Sequence, residues 1–214
     1  MKHSYSILVL TVLLGACVAE ASDSRGIEEV LELEAGQVVR IELPVAELRI
    51  EATERENVGI ELTVRCRWHL SDCEEALEDL EISSRSSSRR LTLELTGFRR
   101  WHSSLLDVEG TIQIPRSSPL EVKMGVADLE IRDVEQDLRV DIGVGELDLR
   151  LPEAKIAEVF VDVGIGKVRF LGGSEHQDDR RSFLIGSEVH WSEGAGEAEL
   201  DIEVGVGEVR VRLE

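Results

Sequence analysis

Basic residues are in short supply. The 214-residue chain carries 24 Lys and Arg against 44 Asp and Glu, a formal net charge of −20. Nucleic acid is excluded as a partner on this ground, because binding its phosphates requires a basic surface. Strong acidity also repels anionic lipid and keeps a protein soluble. Long apolar runs are missing. Ile7 to Leu14 is the apolar stretch near the start, and it falls well short of the roughly 20 residues that span a bilayer. Cysteine is limited to Cys17, Cys66 and Cys73. With only His69 near the last two, a full set of metal ligands is lacking. There is no nucleophile elbow, P-loop, His-Glu-x-x-His or dinucleotide fingerprint. The hydroxyls gather at 83–88 and 103–104 with no evident base. Neither an enzyme nor a cofactor or metal is expected.

What is present begins with an export signal. Lys2, the apolar core Ile7 to Leu14 and the small residues after it describe a signal peptide over 1–16. The segment ends Leu14-Gly15-Ala16-Cys17, which resembles the lipobox of bacterial lipoproteins. That resemblance implies that Cys17 becomes the first mature residue and carries lipid. It also implies several acyl chains, since one alone binds a bilayer only marginally. Ala19-Glu20-Ala21 offers the alternative of simple cleavage and secretion. The expected location is the cell envelope, attached to the membrane through the lipid. Val18 stands where an Asp would mark inner-membrane retention in some Gram-negative bacteria, so the outer membrane is favoured. Residues 17–28 read as a lipidated tether. Once Cys17 is committed to export, Cys66 and Cys73 remain as an even pair in an oxidising compartment, which predicts a disulfide between them. Two buried free thiols are the alternative.

The chain is acidic but does not read as disordered. It is 42% hydrophobic, and its apolar residues alternate with charged ones. Val39, Ile41 and Leu43 enclose Arg40 and Glu42. The pattern continues through Val45 to Ile50, Val58 to Arg67, and Leu91, Leu93 and Leu95. A period of two marks strands with one buried face. One helix is expected over 71–80. Ser71-Asp72-Cys73-Glu74 has the form of a capping box, and Cys73, Ala76, Leu77 and Leu80 share one helical face. Residues 83–90 read as a polar loop or hairpin tip, and 99–110 as a longer loop. The fold class is all-β, with an N-terminal β section over 29–119 and a repeat section over 120–214.

The repeat is explicit. Gly125-Val-Ala-Asp-Leu-Glu-Ile131 matches the segments that begin at Gly143, Gly164 and Gly205, and a fifth copy begins at Gly194. Ile185-Gly186 falls where a degenerate copy belongs. The first copies lie about 20 residues apart, too short a unit to bury its own apolar face, so neighbours must stack. Gly125, Gly143, Gly145, Gly164, Gly166, Gly194, Gly196, Gly205 and Gly207 are the turn glycines of these units. With Ile114-Pro115 and Pro119-Leu120-Glu121-Val122 before it, the repeat resembles a bacterial family of exported proteins labelled "putative adhesin". The resemblance covers roughly residues 30–214. It implies an N-terminal β region followed by a right-handed parallel β-solenoid with Gly-rich corners, and it brings no catalytic residues. This chain departs from that pattern in its acidity and in Gly-Val-Gly where many members have Ser/Thr-Gly-Asp. An antiparallel sandwich or barrel is the competing architecture. In a solenoid the last strand is an open edge, which Arg210, Arg212 and Glu214 would guard.

Ligand features are few. Arg85, Arg89, Arg90, Arg99 and Arg100, with Arg65 and Arg67 in reach, concentrate positive charge. Arg suits bidentate contacts to phosphate or carboxylate, so this patch could meet an anionic polymer or headgroup. A solvated rim paired with local Glu is the plainer reading. Glu146, Glu197 and Glu208 fit solvated strand positions better than the nine-residue calcium repeat. Trp68-His69, Trp101-His102 and His190-Trp191 each put one residue inward and one outward on a strand, giving buried Trp and exposed His. Two functions follow. The first is a binding or scaffolding lipoprotein of the envelope, adhesin-like, with an unidentified protein or envelope polymer as partner. The second is a periplasmic partner or sensor subunit of an envelope-stress response.

Overall fold

Alternate side chains of a strand face opposite sides of a sheet, and the alternation read above is realised along almost all of the described chain. The computed structural model describes residues 24–67, 73, 77–97, 106–172, 181–182, 186–192 and 194–214. The signal segment, Cys17, Arg99, Arg100, Trp68, His69, Trp101 and His102 lie outside them. The strands in chain order are β1 Ser24–Glu32, β2 Val38–Thr53, β3 Asn57–Cys66, β4 Glu81–Ser87, β5 Arg90–Thr96 and β6 Leu106–Pro115. They continue with β7 Leu120–Arg132, β8 Leu138–Leu151, β9 Ile156–Leu171, β10 Arg181–Ser182, β11 Ser187–Trp191 and β12 Ala198–Leu213. A 3-10 turn, Glu153–Lys155, precedes β9.

These strands join one open sheet in the order β1-β3-β6-β2-β7-β8-β12-β9-β11-β10. Its centre is parallel: β2, β7, β8, β12 and β9 pair side by side in register. The arms are antiparallel, as in β1 with β3, β3 with β6 and β11 with β9. Along its free side β2 splits its partners. Its first half takes β5, and its second half takes β6. The all-β expectation thus holds in one open sheet, parallel at its centre and antiparallel in its arms, and the sheet does not close into the barrel that was the competing architecture.

Stacking departs from chain order. The last strand, β12, lies between β8 and β9 along its full length. It is an interior strand, so Arg210, Arg212 and Glu214 guard no edge. Arg210 and Arg212 instead reach Glu146 and Asp148 of β8. Register explains why such an insertion is possible. Each copy has the same alternation and the same corner, so β12 matches both neighbours, with one register shift against β9 at Ala198 and Glu199.

Each long strand bends at its Gly-rich motif. In β8, Leu138, Val140 and Ile142 are buried before the bend, and Leu147, Leu149 and Leu151 after it. The inward phase moves from even to odd numbers because Gly143 and Val144 both face solvent. The corner needs glycine for two reasons. Gly145 has φ 151°, and a Cβ there would sit 1.8 Å from the Ala127 carbonyl oxygen. A Cβ on Gly143 would lie 2.7 Å from the Gly125 oxygen of the strand below. The copy at Gly194 behaves differently. It is a connection packed on Lys155 and Ile156, and β12 starts only at Ala198. Gly186 does lie against Gly164, but the strand that follows it runs antiparallel to β9.

Several boundaries differ from the sequence expectation. Ser24 to Glu28, read as tether, already belong to β1, and β6 begins inside the loop expected over 99–110. Residues 83–90, by contrast, are the tip of the β4–β5 hairpin, as one of the two readings expected, with Ser88 and Arg89 in its turn. Half of the expected 71–80 helix lies outside the described residues; within it Cys73, Leu77 and Glu78 are helical. Cys73, Leu77 and Leu80 are buried, and the Arg25 guanidinium donates to the Leu77 carbonyl at 2.7 Å. The Cys66–Cys73 disulfide is formed, with the two Cα atoms 6.1 Å apart. One continuous core of Leu, Ile and Val runs through the sheet. Each such side chain contributes about 1.5–3 kcal/mol of burial.

Candidate functional site

The arginines singled out in the sequence are only partly gathered by the fold. Arg85 and Arg90 share the outer face of the β4–β5 hairpin, where Arg85 pairs with Glu94 at 3.4 Å. Arg89 sits in the hairpin turn, and its carbonyl accepts from the Val38 amide. Arg65 and Arg67 are elsewhere, paired with Glu109 and Asp107. Arg90 turns toward the parallel sheet, and there it meets cations that the sequence reading missed.

That meeting point is a hollow of about 340 Å³ lined by Arg40, Arg90, Lys123 and Arg139 with Glu121 and Asp141. Adjacent strands supply these residues at matching positions: Arg40, Glu121 and Arg139 are direct cross-strand neighbours on β2, β7 and β8. Arg40 and Arg90 share the Glu121 carboxylate, at 3.1 and 3.0 Å. The buried Arg90 Nε has no hydrogen-bond partner. Burial lowers the tendency of Arg40 to stay charged, but Glu42 and Glu121 more than offset it and hold its pKa above the ordinary value. Arg139 pairs with Asp201 at 3.3 Å and Lys123 with Asp141 at 3.5 Å. Two carboxylates line the hollow with these four cations, and Glu42 and Asp201 pair with Arg40 and Arg139 from outside its lining. No one segment of sequence holds them, so only strand pairing could have revealed them.

A second groove, of about 530 Å³, has the opposite character. It lies over β1, β3, β6, β2 and β7 and is lined by Glu28, Glu47, Glu61, Glu109, Asp128 and Glu130, with Arg49. Its floor is narrow-bodied: a Cβ on Gly110 would lie 2.1 Å from the Glu61 carbonyl oxygen. At one rim Glu130 accepts from Arg132 Nε at 2.7 Å and from Arg49 Nε at 2.9 Å. Burial pushes the Glu130 carboxyl up, and these two arginines more than reverse it, so its pKa lies below the ordinary value. Farther along the stack, the Lys167 hydrogen bond, with the charges of Arg169 and Arg210, holds Glu208 low against the opposing effect of burial. Glu146 accepts from Arg210, and Glu208 binds three cations, as expected of strand residues on a solvated face.

At the far end of the sheet, Trp191 is buried and tilted onto Phe170 at 5.8 Å between ring centres. Its neighbour His190 is exposed and contacts Glu158. This pair follows the buried-Trp, exposed-His expectation.

No family model matches this chain, and no curated protein matches it. Among solved structures, a "putative cell adhesion protein" from Clostridium sporogenes is 16% identical, with a TM-score of 0.50. That alignment covers 89% of this chain and 100% of the other. A "putative adhesin" from Parabacteroides merdae is 12% identical over 89% of this chain and 82% of its own, with a TM-score of 0.24. The first of these likenesses is one of fold: this β-rich chain is similar in architecture to an adhesin-type protein.

Proposed function

We propose that this chain is a non-enzymatic, adhesin-like binding protein of the cell envelope, held at the membrane by lipid on Cys17. Its parallel stack of bent strands is read as a β-solenoid platform whose last copy folds back between two earlier ones. The fold likeness supports a binding role, and the Cys66–Cys73 disulfide fits an oxidising compartment. The observation that carries the ligand reading is the convergence of Arg40, Arg90, Lys123 and Arg139 on one hollow. Guanidinium groups bind carboxylate and phosphate in a planar, two-pronged way. The ligand is therefore an anionic envelope polymer.

The test is calorimetric titration of the mature chain with polyphosphate and with polygalacturonate. Binding of either, weakened at least about tenfold by Arg90→Ala with Arg139→Ala and left alone by Arg85→Ala, is the expected result. Absence of binding, or equal loss in the Arg85 variant, would sink the assignment of the hollow. The envelope-stress reading, in which the chain serves a periplasmic protein partner, is favoured by a separate observation, the exposed apolar corner of the stack.

A further inference from the structure

Six large apolar side chains are exposed among the described residues; Val30 and Leu171 stand apart, and the other four form a row. Val126, Val144, Ile165 and Val206 are 48%, 48%, 51% and 41% exposed. All four occupy the same corner position on β7, β8, β9 and β12, and the in-register pairing puts each beside the next. Partly exposed Val45 of β2 extends the row at its near end. The order is Val45, Val126, Val144, Val206, Ile165. With strands about 4.8 Å apart, the ridge is roughly 19 Å long. Glycines flank it. Gly125, Gly143, Gly205 and Gly164 precede the ridge residues, so no side chain stands beside them there. Isolated exposed apolar residues need no explanation, but a continuous row marks an interaction surface.

The charges beside the ridge choose the partner. Three positions before each ridge residue stand Glu42, Lys123, Asp141, Glu203 and Asp162. Two positions after stand Glu47, Asp128, Glu146, Glu208 and Lys167. Carboxylates dominate both rows. Glu47 faces Asp128 directly across adjacent strands, and Glu203 faces Asp162. None of these four has an ion pair among the described residues. Like charges in directly opposed positions destabilise a sheet, so their retention on both sides of an apolar row calls for an outside cation. Glu47 and Asp128 also line the acidic groove, which opens beside the near end of the ridge. Apolar ridge and acidic concavity thus form one continuous surface.

We infer that this corner docks a basic amphipathic segment of a partner protein, with apolar side chains on the ridge and Lys or Arg on the two acidic rows and in the groove. A second copy of this chain would bring acidic rows against acidic rows, and an anionic membrane would be repelled. A helix suits the ridge in pitch, because one turn rises 5.4 Å, close to the strand spacing. The inference does not depend on the cationic hollow, which shares Lys123 and Asp141 with one of these rows but is proposed to take ligands of opposite charge.

The probe is a synthetic amphipathic helix of leucine and lysine. The controls are a peptide of equal composition with its leucines dispersed, and one with glutamate for lysine. The mature chain should bind the first peptide and lose at least about tenfold in affinity in Val126→Thr/Val144→Thr/Val206→Thr. Threonine keeps the strand preference of valine at an exposed site, and unchanged thermal unfolding verifies folding. A second variant, Asp128→Asn/Glu203→Gln, should weaken binding and flatten its salt dependence while leaving the ridge intact. Equal affinity for the glutamate peptide, undiminished binding by the threonine variant, or no binding to the lysine peptide would each overturn the inference. So would self-association of the wild type, or adsorption to phosphatidylglycerol vesicles, that the threonine variant abolishes and the peptide fails to compete. Anionic-polymer binding through the hollow is read separately and is expected to survive both variants.

Discussion

Glu130 is the residue on which the outer face of the post-corner strands is hung. It takes hydrogen bonds from Arg49 and Arg132 and lies 3.5 Å from Arg150, so three neighbouring strands are tied through one half-buried carboxylate. Its pKa is depressed because those guanidinium groups outweigh the burial that raises it. A depressed carboxyl contributes stability above its unfolded value of about 4.3, and that contribution disappears as pH falls through the folded value. Glu130→Gln should therefore lower stability by on the order of 1 kcal/mol at neutral pH. Thermal melts across an acid series should bring variant and wild type together as pH falls below 4.3. A constant gap would mean that packing, and not charge, is what the substitution disturbs. Gly145 makes a different kind of demand. Its backbone conformation and the Ala127 oxygen leave no room for Cβ, so Gly145→Ala should destabilise by at least about 2 kcal/mol. Gly26, with nothing within 4 Å of a built Cβ, is the matched control and should tolerate alanine by denaturant titration within roughly 0.5 kcal/mol.

At the scale of elements, the strands were legible because alternation is written residue by residue. Leu147, Leu149 and Leu151 had to share a face, and they do. The corners were legible as well, since a Gly-x-Gly flanked by alternating residues cannot continue a flat strand. What could not be read was where pairing begins. Ser24 to Glu28 are short of apolar residues, and β1 holds them by backbone hydrogen bonds to β3, which leave no mark on composition. The Cys66–Cys73 bond was legible from cysteine arithmetic and export alone. It closes a short loop between the end of β3 and helical residues over the sheet. Closing so short a loop stabilises by about 2 kcal/mol in the chain-entropy model. Cys66→Ser with Cys73→Ser should then lower the melting temperature by roughly 5 °C in a chain of this size. Reduction of the wild type should reproduce the shift. A null effect of both treatments would show that the buried Leu77 and Leu80 hold that segment without the crosslink.

At the scale of the molecule, strand order was the feature least visible in the sequence, for a physical reason. Copies with the same register and the same corner are interchangeable as neighbours, so the repeat specifies parallel stacking without specifying sequence order. The cationic hollow and the apolar ridge share that origin. The ridge takes one residue from each strand and the hollow draws on β2, β5, β7 and β8, so no window of sequence contains either. Insertion of β12 between β8 and β9 also changes how the chain loses stability. In a stack that follows chain order, removing the last copy leaves the remaining interfaces intact. Here, deleting 198–214 removes two full-length parallel interfaces and leaves β8 and β9 each with an unpaired edge facing a strand-wide gap. Such edges pair with other chains. The truncated protein is expected to lose cooperative unfolding by circular dichroism and to sediment as aggregates. If it instead unfolds cooperatively as a monomer with only a modest drop in melting temperature, β9 has closed onto β8. The stack would then tolerate either order, and the position of β12 would be a choice between two nearly equal registers.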